Sequence, residues 1–160
     1  MEEGIKAFDK EYRREYHDLM LKKLGFEQLD ISQGEELLKS TLAFLNHYPV
    51  SYHDFFADLA RTFSNKWRDD AANILKCSEI GDSLGSTELF FNWSGIYHQI
   101  LTNLSPDELE KASQVLNQNN PQTVILRPVI ESVWESISED DNWQPFYHLI
   151  QEISGLTTEK

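Results

Sequence analysis

One cysteine, Cys77, is all that 160 residues contain. No internal disulfide can form, so a cystine-stapled secreted scaffold is excluded, and a reducing compartment, the cytoplasm, is the expected home. Cys77 also lacks a Cys-x-x-Cys partner and reads as a buried or incidental thiol rather than a nucleophile. Positive charge is nearly missing from the second half. Residues 1–76 hold eleven Lys and Arg against fourteen acids, whereas residues 77–160 hold only Lys111, Arg127 and Lys160 against thirteen. The formal net charge is −13. Nucleic-acid binding neutralises phosphates with cations, so DNA and RNA are excluded as partners, and an anionic membrane face is disfavoured for the same reason. No run approaches the length of about eighteen apolar residues that a membrane span needs. Met1-Glu2-Glu3-Gly4 lacks the basic and apolar stretches of a signal peptide, and none is expected. Seven glycines and five prolines stand as punctuation, with no low-complexity linker and no internal repeat.

What is there is helical periodicity. Phe8, Tyr12, Tyr16, Met20 and Leu24 recur every four residues, and Gly25 follows as a C-terminal cap. Ser32-Gln33-Gly34-Glu35 has capping-box spacing and is expected to open a helix through Leu38, Leu42 and Leu45, which Pro49 stops. Ser51 starts another, carrying Phe56, Leu59, Ala60 and Phe63 at i, i+3, i+4 and i+7. A short helix is expected around Trp67–Leu75, and residues 78–86, with Gly81 and Gly85, read as the longest loop. Leu89, Trp93, Ile96, Tyr97 and Ile100 form the next stripe. Ser105-Pro106-Asp107-Glu108 combines an N-cap serine, a first-turn proline and a glutamate at N3, and its helix should bury Leu109, Ala112 and Leu116. Two further helices carry Ile130, Val133, Trp134, Ile137 and then Phe146, Leu149, Ile150, Ile153, with Gly155 closing the last. Only Thr123–Leu126 passes for a short extended piece. The expectation is one all-α domain over 1–160, a compact bundle of about seven or eight short helices.

Reactive chemistry is hard to find. His17, His47, His53, His98 and His148 lack the i, i+4 or HxH spacing that puts two metal ligands on one face, and read as surface or helix-end residues. Asp69-Asp70 and Glu139-Asp140-Asp141 lack the alternating ligands and central glycine of a calcium loop. The second cluster is expected to place acids at the start of the last helix, where the dipole favours them. Gly81-Asp82-Ser83-Leu84-Gly85 has neither the spacing nor the lysine of a phosphate loop. Trp67, Trp93, Trp134 and Trp143 read as core side chains, since no basic residues interleave them. No catalytic, cofactor or metal residue is assigned. Arg127 lies between Pro121 and Pro128, with Glu131 and Glu135 downstream, and its planar guanidinium suits several bonds at once. Arg127, Pro121 and Trp134 are therefore expected to form a structural anchor that fixes the entrance of the Trp134 helix; anion binding by Arg127 is the alternative role.

Several short elements occur in an order that resembles a known family. Asn120-Pro121 with Val124-Ile125-Leu126-Arg127, the helix Tyr16–Gly25, Tyr52-His53-Asp54-Phe55-Phe56 with Leu59, and Asp141, Phe146 and Leu149-Ile150 are similar to elements near the end of the SelO (YdiU) protein adenylyltransferases. The resemblance implies a kinase-like protein that transfers AMP from ATP to Ser, Thr or Tyr hydroxyls with a divalent metal such as Mg. Its phosphate-cradling and metal-binding residues match nothing here, so no catalytic role carries over. Pro128 stands where many relatives have Asn, and Thr157-Thr158-Glu159-Lys160 offers no terminal cysteine or selenocysteine.

Three functions follow from this combination. The first is a non-catalytic helical module, the C-terminal part of a SelO-like protein, that buttresses a catalytic core in cis or in trans. Such a module should carry a surplus apolar patch, expected among Phe90, Phe91, Trp93 and Trp143. The second is an enzyme, a SelO-type AMP transferase of which this chain is only a piece, and the third is a free-standing acidic adaptor that captures basic proteins.

Overall fold

Gly25, at φ +95°, ends the first helix where the four-residue spacing places its end. Phe26 N–H reaches Leu21 O at 2.9 Å and Gly25 N–H reaches Lys22 O at 3.0 Å, the paired bonds of a left-handed cap that a side chain at Gly25 would strain. The computed structural model describes residues 2–76, 78–84, 87–121 and 127–153. Among these are eight α-helices and no strand: α1 (Glu2–Lys23), α2 (Ile31–His47), α3 (Tyr52–Thr62), α4 (Glu79–Leu84), α5 (Glu88–Asn103), α6 (Pro106–Asn119), α7 (Arg127–Asp140) and α8 (Gln144–Ile153). Two 3₁₀ turns, Asn65–Arg68 and Ala71–Asn73, follow α3. The chain is all-α. Cys77, Gly85, the extended piece 123–126, Gly155 and the final four residues lie outside the described residues. Contacts divide the chain into two compact units, Met1–Asn120 and Pro121–Lys160.

In the first unit, α2 lies along α5, while α6 packs on α1 and α3. The centre is aromatic: Phe44 meets Phe55 edge-on at 4.9 Å, and Trp93 stacks on Tyr97 at 5.2 Å. Both large rings of α5 are fully buried, and each has a polar atom to satisfy. Trp93 Nε1 donates to Thr41 Oγ1 at 3.0 Å, and that hydroxyl donates onward to Leu37 O at 2.7 Å. Tyr97 Oη donates to Leu24 O at 2.9 Å, filling one of the carbonyls that the end of α1 leaves open. Burial pushes the Tyr97 hydroxyl up from its ordinary value, so it stays a donor.

Several boundaries differ from those the sequence suggests. α2 is capped by Asp30, whose carboxylate accepts from Ser32 N–H at 3.0 Å; the capping-box serine is already inside the helix. Asp30 brings a negative charge to the positive helix end, which serine does not. Gly34 is then free to lie under His17, where an added Cβ would sit 3.3 Å from the imidazole. The buried face consequently turns to Leu37, Thr41 and Phe44, leaving Leu38, Leu42 and Leu45 half-buried against the core. The helix expected around Trp67–Leu75 resolves into the two 3₁₀ turns, capped by Ser64 and Asp70; the extended backbone of Asp70 separates them, and Leu75, at φ 57°, ends the segment.

The segment read as the longest loop contains α4. Ser78 Oγ accepts from Gly81 N–H at 3.0 Å, and a Cβ on Gly81 would lie 1.8 Å from Leu75 O. This glycine permits close packing of α4 on the preceding backbone, not loop freedom. The last acidic cluster is also placed differently: α7 runs through Glu139 and Asp140, so these acids sit at its unfavourable C-terminal end. Asn142, through Oδ1, caps α8 instead.

The Ser105–Glu108 capping box forms as its spacing predicts. Glu108 Oε2 accepts from Ser105 N–H at 2.7 Å, while Ser105 Oγ accepts from Glu108 N–H at 3.3 Å. The Ser105 amide, then its hydroxyl, holds the Glu108 carboxyl below its ordinary value of 4.5. A lowered carboxyl contributes stability that is present above pH 4.5 and lost as pH falls through the lowered value. Glu108→Gln should therefore lower the urea midpoint at pH 7 and leave it nearly unchanged near pH 2. An equal loss at both pH values would contradict the assignment.

Candidate docking surface

The unit formed by α7 and α8 buries none of its described side chains. Each helix carries apolar residues at i, i+3, i+4 and i+7, which align on one face at 3.6 residues per turn. Ile130, Val133, Trp134 and Ile137 from α7 meet Phe146, Leu149, Ile150 and Ile153 from α8 around a groove of about 330 Å³. Trp143 completes the lining. The turn that pairs the helices is made by Asp141, at φ 51°, whose carboxylate accepts from Trp143 Nε1 at 3.1 Å. Two helices can share only the seam between them, so the outer part of each stripe stays wet. Trp134 is 67% exposed and Ile130 51%. Covering each would contribute about 1.5–3 kcal/mol.

The expected core role of the four tryptophans thus holds for Trp67 and Trp93 and fails for Trp134 and Trp143. The expected surplus patch also moves. Phe90 and Trp93 are core, Phe91 and Trp143 are exposed, and the main open surface is the α7–α8 groove. A second open stripe lies on the first half of α1. There Phe8, Tyr12 and Tyr16 stack in succession, with ring centroids 6.3 Å apart and Phe8 72% exposed. The four-residue stripe therefore continues into the core only at Met20 and Leu24.

The anchor residues take these positions. Arg127 is the first residue of α7 and exposed, and its Nε donates to Glu131 Oε1 at 2.7 Å, one turn on. Trp134 lines the groove, and Pro121 is exposed after the C-cap of α6. The segment 122–126 that Arg127 would fasten lies outside the described residues.

The histidines are scattered. His98 Nε2 lies 3.0 Å from Arg68 O, and His148 Nδ1 lies 3.4 Å from Glu152. His47 packs edge-on against Tyr48, and His17 Nε2 is sealed without a partner beside Gly34. Among the described residues no three His, Cys, Asp or Glu converge as metal ligands.

A polar clasp in the first unit went unnoticed in the sequence. Asn120 is 2% exposed, and its Nδ2 donates to Lys23 O at 2.8 Å. Lys23 Nζ returns a bond to Asn119 O at 3.1 Å and stands 5.4 Å from the Phe56 ring centroid. Burial lowers the Lys23 ammonium from its ordinary value. The C-terminal carbonyls of α1 and α6, both short of partners, are tied by this exchange. The Asn-Pro pair after a helix was the available signal, because asparagine there satisfies backbone groups that proline cannot. Asn120→Ala should destabilise the chain by about 1–3 kcal/mol in chemical denaturation, since it leaves buried backbone unpaired. An unchanged midpoint would show that the clasp is idle.

Comparison with known proteins places this architecture. The family model described as protein adenylyltransferase SelO matches residues 1–154. The protein nucleotidyltransferase YdiU of Trichormus variabilis is 48% identical over 155 residues, covering 97% of this chain and 32% of the relative. Those of Trichodesmium erythraeum and Gloeobacter violaceus are 42% and 41% identical, covering 96% and 94% of this chain and 31% and 30% of theirs. The chain spans about a third of the length of the curated relatives it matches. No solved structure matches it. No described helix is long and apolar enough to cross a membrane. With its helices, its motif order and this breadth of match, the chain belongs to the SelO family.

Proposed function

We propose that this chain is the non-catalytic, C-terminal helical module of a SelO-type protein, working in a reducing, cytoplasmic setting. Its role is to support a kinase-like core that transfers AMP from ATP to protein hydroxyls, with the core supplying the ATP and Mg chemistry in cis or in trans. The observation that carries this reading is the open groove between α7 and α8, an apolar surface larger than a helix pair can cover by itself. Relatives three times as long have the additional chain to fill such a surface. Trp134 is the anchor residue of the groove, and Arg127 and Pro121 hold the entrance of its helix.

The groove also separates this reading from the adaptor alternative, which the charge of −13 favours. An adaptor would capture basic proteins in a salt-sensitive way, whereas apolar docking is insensitive to salt. The direct test grafts this chain in place of the matching third of the Trichormus variabilis nucleotidyltransferase and assays AMP transfer to protein. The graft should be active, and Trp134→Asp with Ile150→Asp should reduce its activity at least about tenfold, since two lost apolar contacts exceed 1.4 kcal/mol. A doubly substituted graft as active and as thermally stable as its parent would overturn the proposal.

A further inference from the structure

Outside the first helix, the densest run of cations in this protein lies around the 3₁₀ turns. Between positions 61 and 76 stand Arg61, Lys66, Arg68 and Lys76 against Asp69 and Asp70. Two of these cations already have protein partners: Arg61 pairs with Asp58, and Arg68 donates to Thr102 O at 3.3 Å. Asp70 is occupied too, accepting from Ala72 N–H at 2.9 Å. Lys66 and Lys76 differ. Both line a cavity of about 450 Å³ at the 3₁₀ turns, with Thr62, Ser64, Trp67 and Asn73, and among the described residues no carboxylate contributes to the lining. Neither ammonium makes a hydrogen bond or ion pair among the described residues.

The floor supplies an independent observation. Trp67 is only 2% exposed, held by edge contacts to Phe63 at 5.3 Å and Tyr97 at 6.2 Å. Its indole N–H meets no acceptor among the described residues, although buried indole donors ordinarily find one. That nitrogen is not among the sealed, partnerless atoms, so it keeps an opening to solvent. The Trp67 indole, two ammoniums without a partner among the described residues and Ser64 thus line one space, while the Thr62 hydroxyl is already committed to Asp58 O at 2.7 Å.

We propose that this cavity binds a phosphoryl oxyanion. Exposed ammonium pairs contribute little each, so a singly charged carboxylate gains too little here, whereas a multiply charged oxyanion engages both lysines at once. The overall charge of −13 does not forbid it: at physiological salt the field is screened over about 8 Å, so the nearest cations dominate. The site is independent of the α7–α8 groove and stands whether or not the groove docks a catalytic core.

The test titrates the full chain with inorganic pyrophosphate at fixed ionic strength and follows the Trp67 indole N–H by NMR. A saturable shift is expected, and Lys66→Gln with Lys76→Gln, both exposed and harmless to the core, should weaken binding about tenfold or more. A phosphoserine peptide run in parallel identifies the carrier: tighter binding than pyrophosphate places the oxyanion on a protein, weaker binding on a small molecule. A shift reproduced by chloride at the same ionic strength, or an affinity unchanged in the double variant, would overturn the proposal.

Discussion

The Trp93–Tyr97 pair on α5 is the constraint around which the first unit is arranged. Each ring brings a large apolar surface to the centre together with one polar atom that cannot be left unpaired. Tyr97 meets this requirement on the last carbonyls of α1, and Trp93 meets it on a threonine of α2. Burial of the rings and satisfaction of their donors therefore fix two other helices relative to α5. The Gly25 cap and the Lys23–Asn120 clasp then hold the end of α1, where Tyr97 docks. Packing and hydrogen bonding point to the same arrangement here, which is the condition for a single well-defined core.

The second unit obeys the opposite logic. Its stripes are as regular as those of the core, but α7 and α8 have only each other, and no described side chain becomes buried. A strongly amphipathic pair that stays open is unfavourable in water unless another surface closes it. The same holds on a smaller scale for the stacked aromatics of α1. Membership of a family whose curated members are three times as long gives these surfaces a natural context.

Helices and their starts were legible wherever a local rule decides them. The capping box at Ser105, the Ser51 cap and the Gly25 terminator each depend on residues within a single turn, and each lies where its spacing indicates. Features that depend on distant neighbours were not legible. Gly81 looks like a loop residue until Leu75 O is found against it, and Asp30 outcompetes a serine because of charge at a helix end. Trp134 and Trp93 sit on indistinguishable stripes, yet one is core and the other exposed, because periodicity says which face is apolar and not what covers it. The donor-rich cavity escaped for a similar reason: its lysines stand ten residues apart and converge only through two 3₁₀ turns.

Amide hydrogen exchange on the chain by itself measures the contrast between a closed core and an open helix pair most directly. Amides of α5 near Trp93 and Tyr97 should open only with global unfolding, while those of α7 and α8 should exchange several orders of magnitude faster. Protection of α7 and α8 equal to that of α5 would contradict the account, because it would mean that their apolar face needs no further partner.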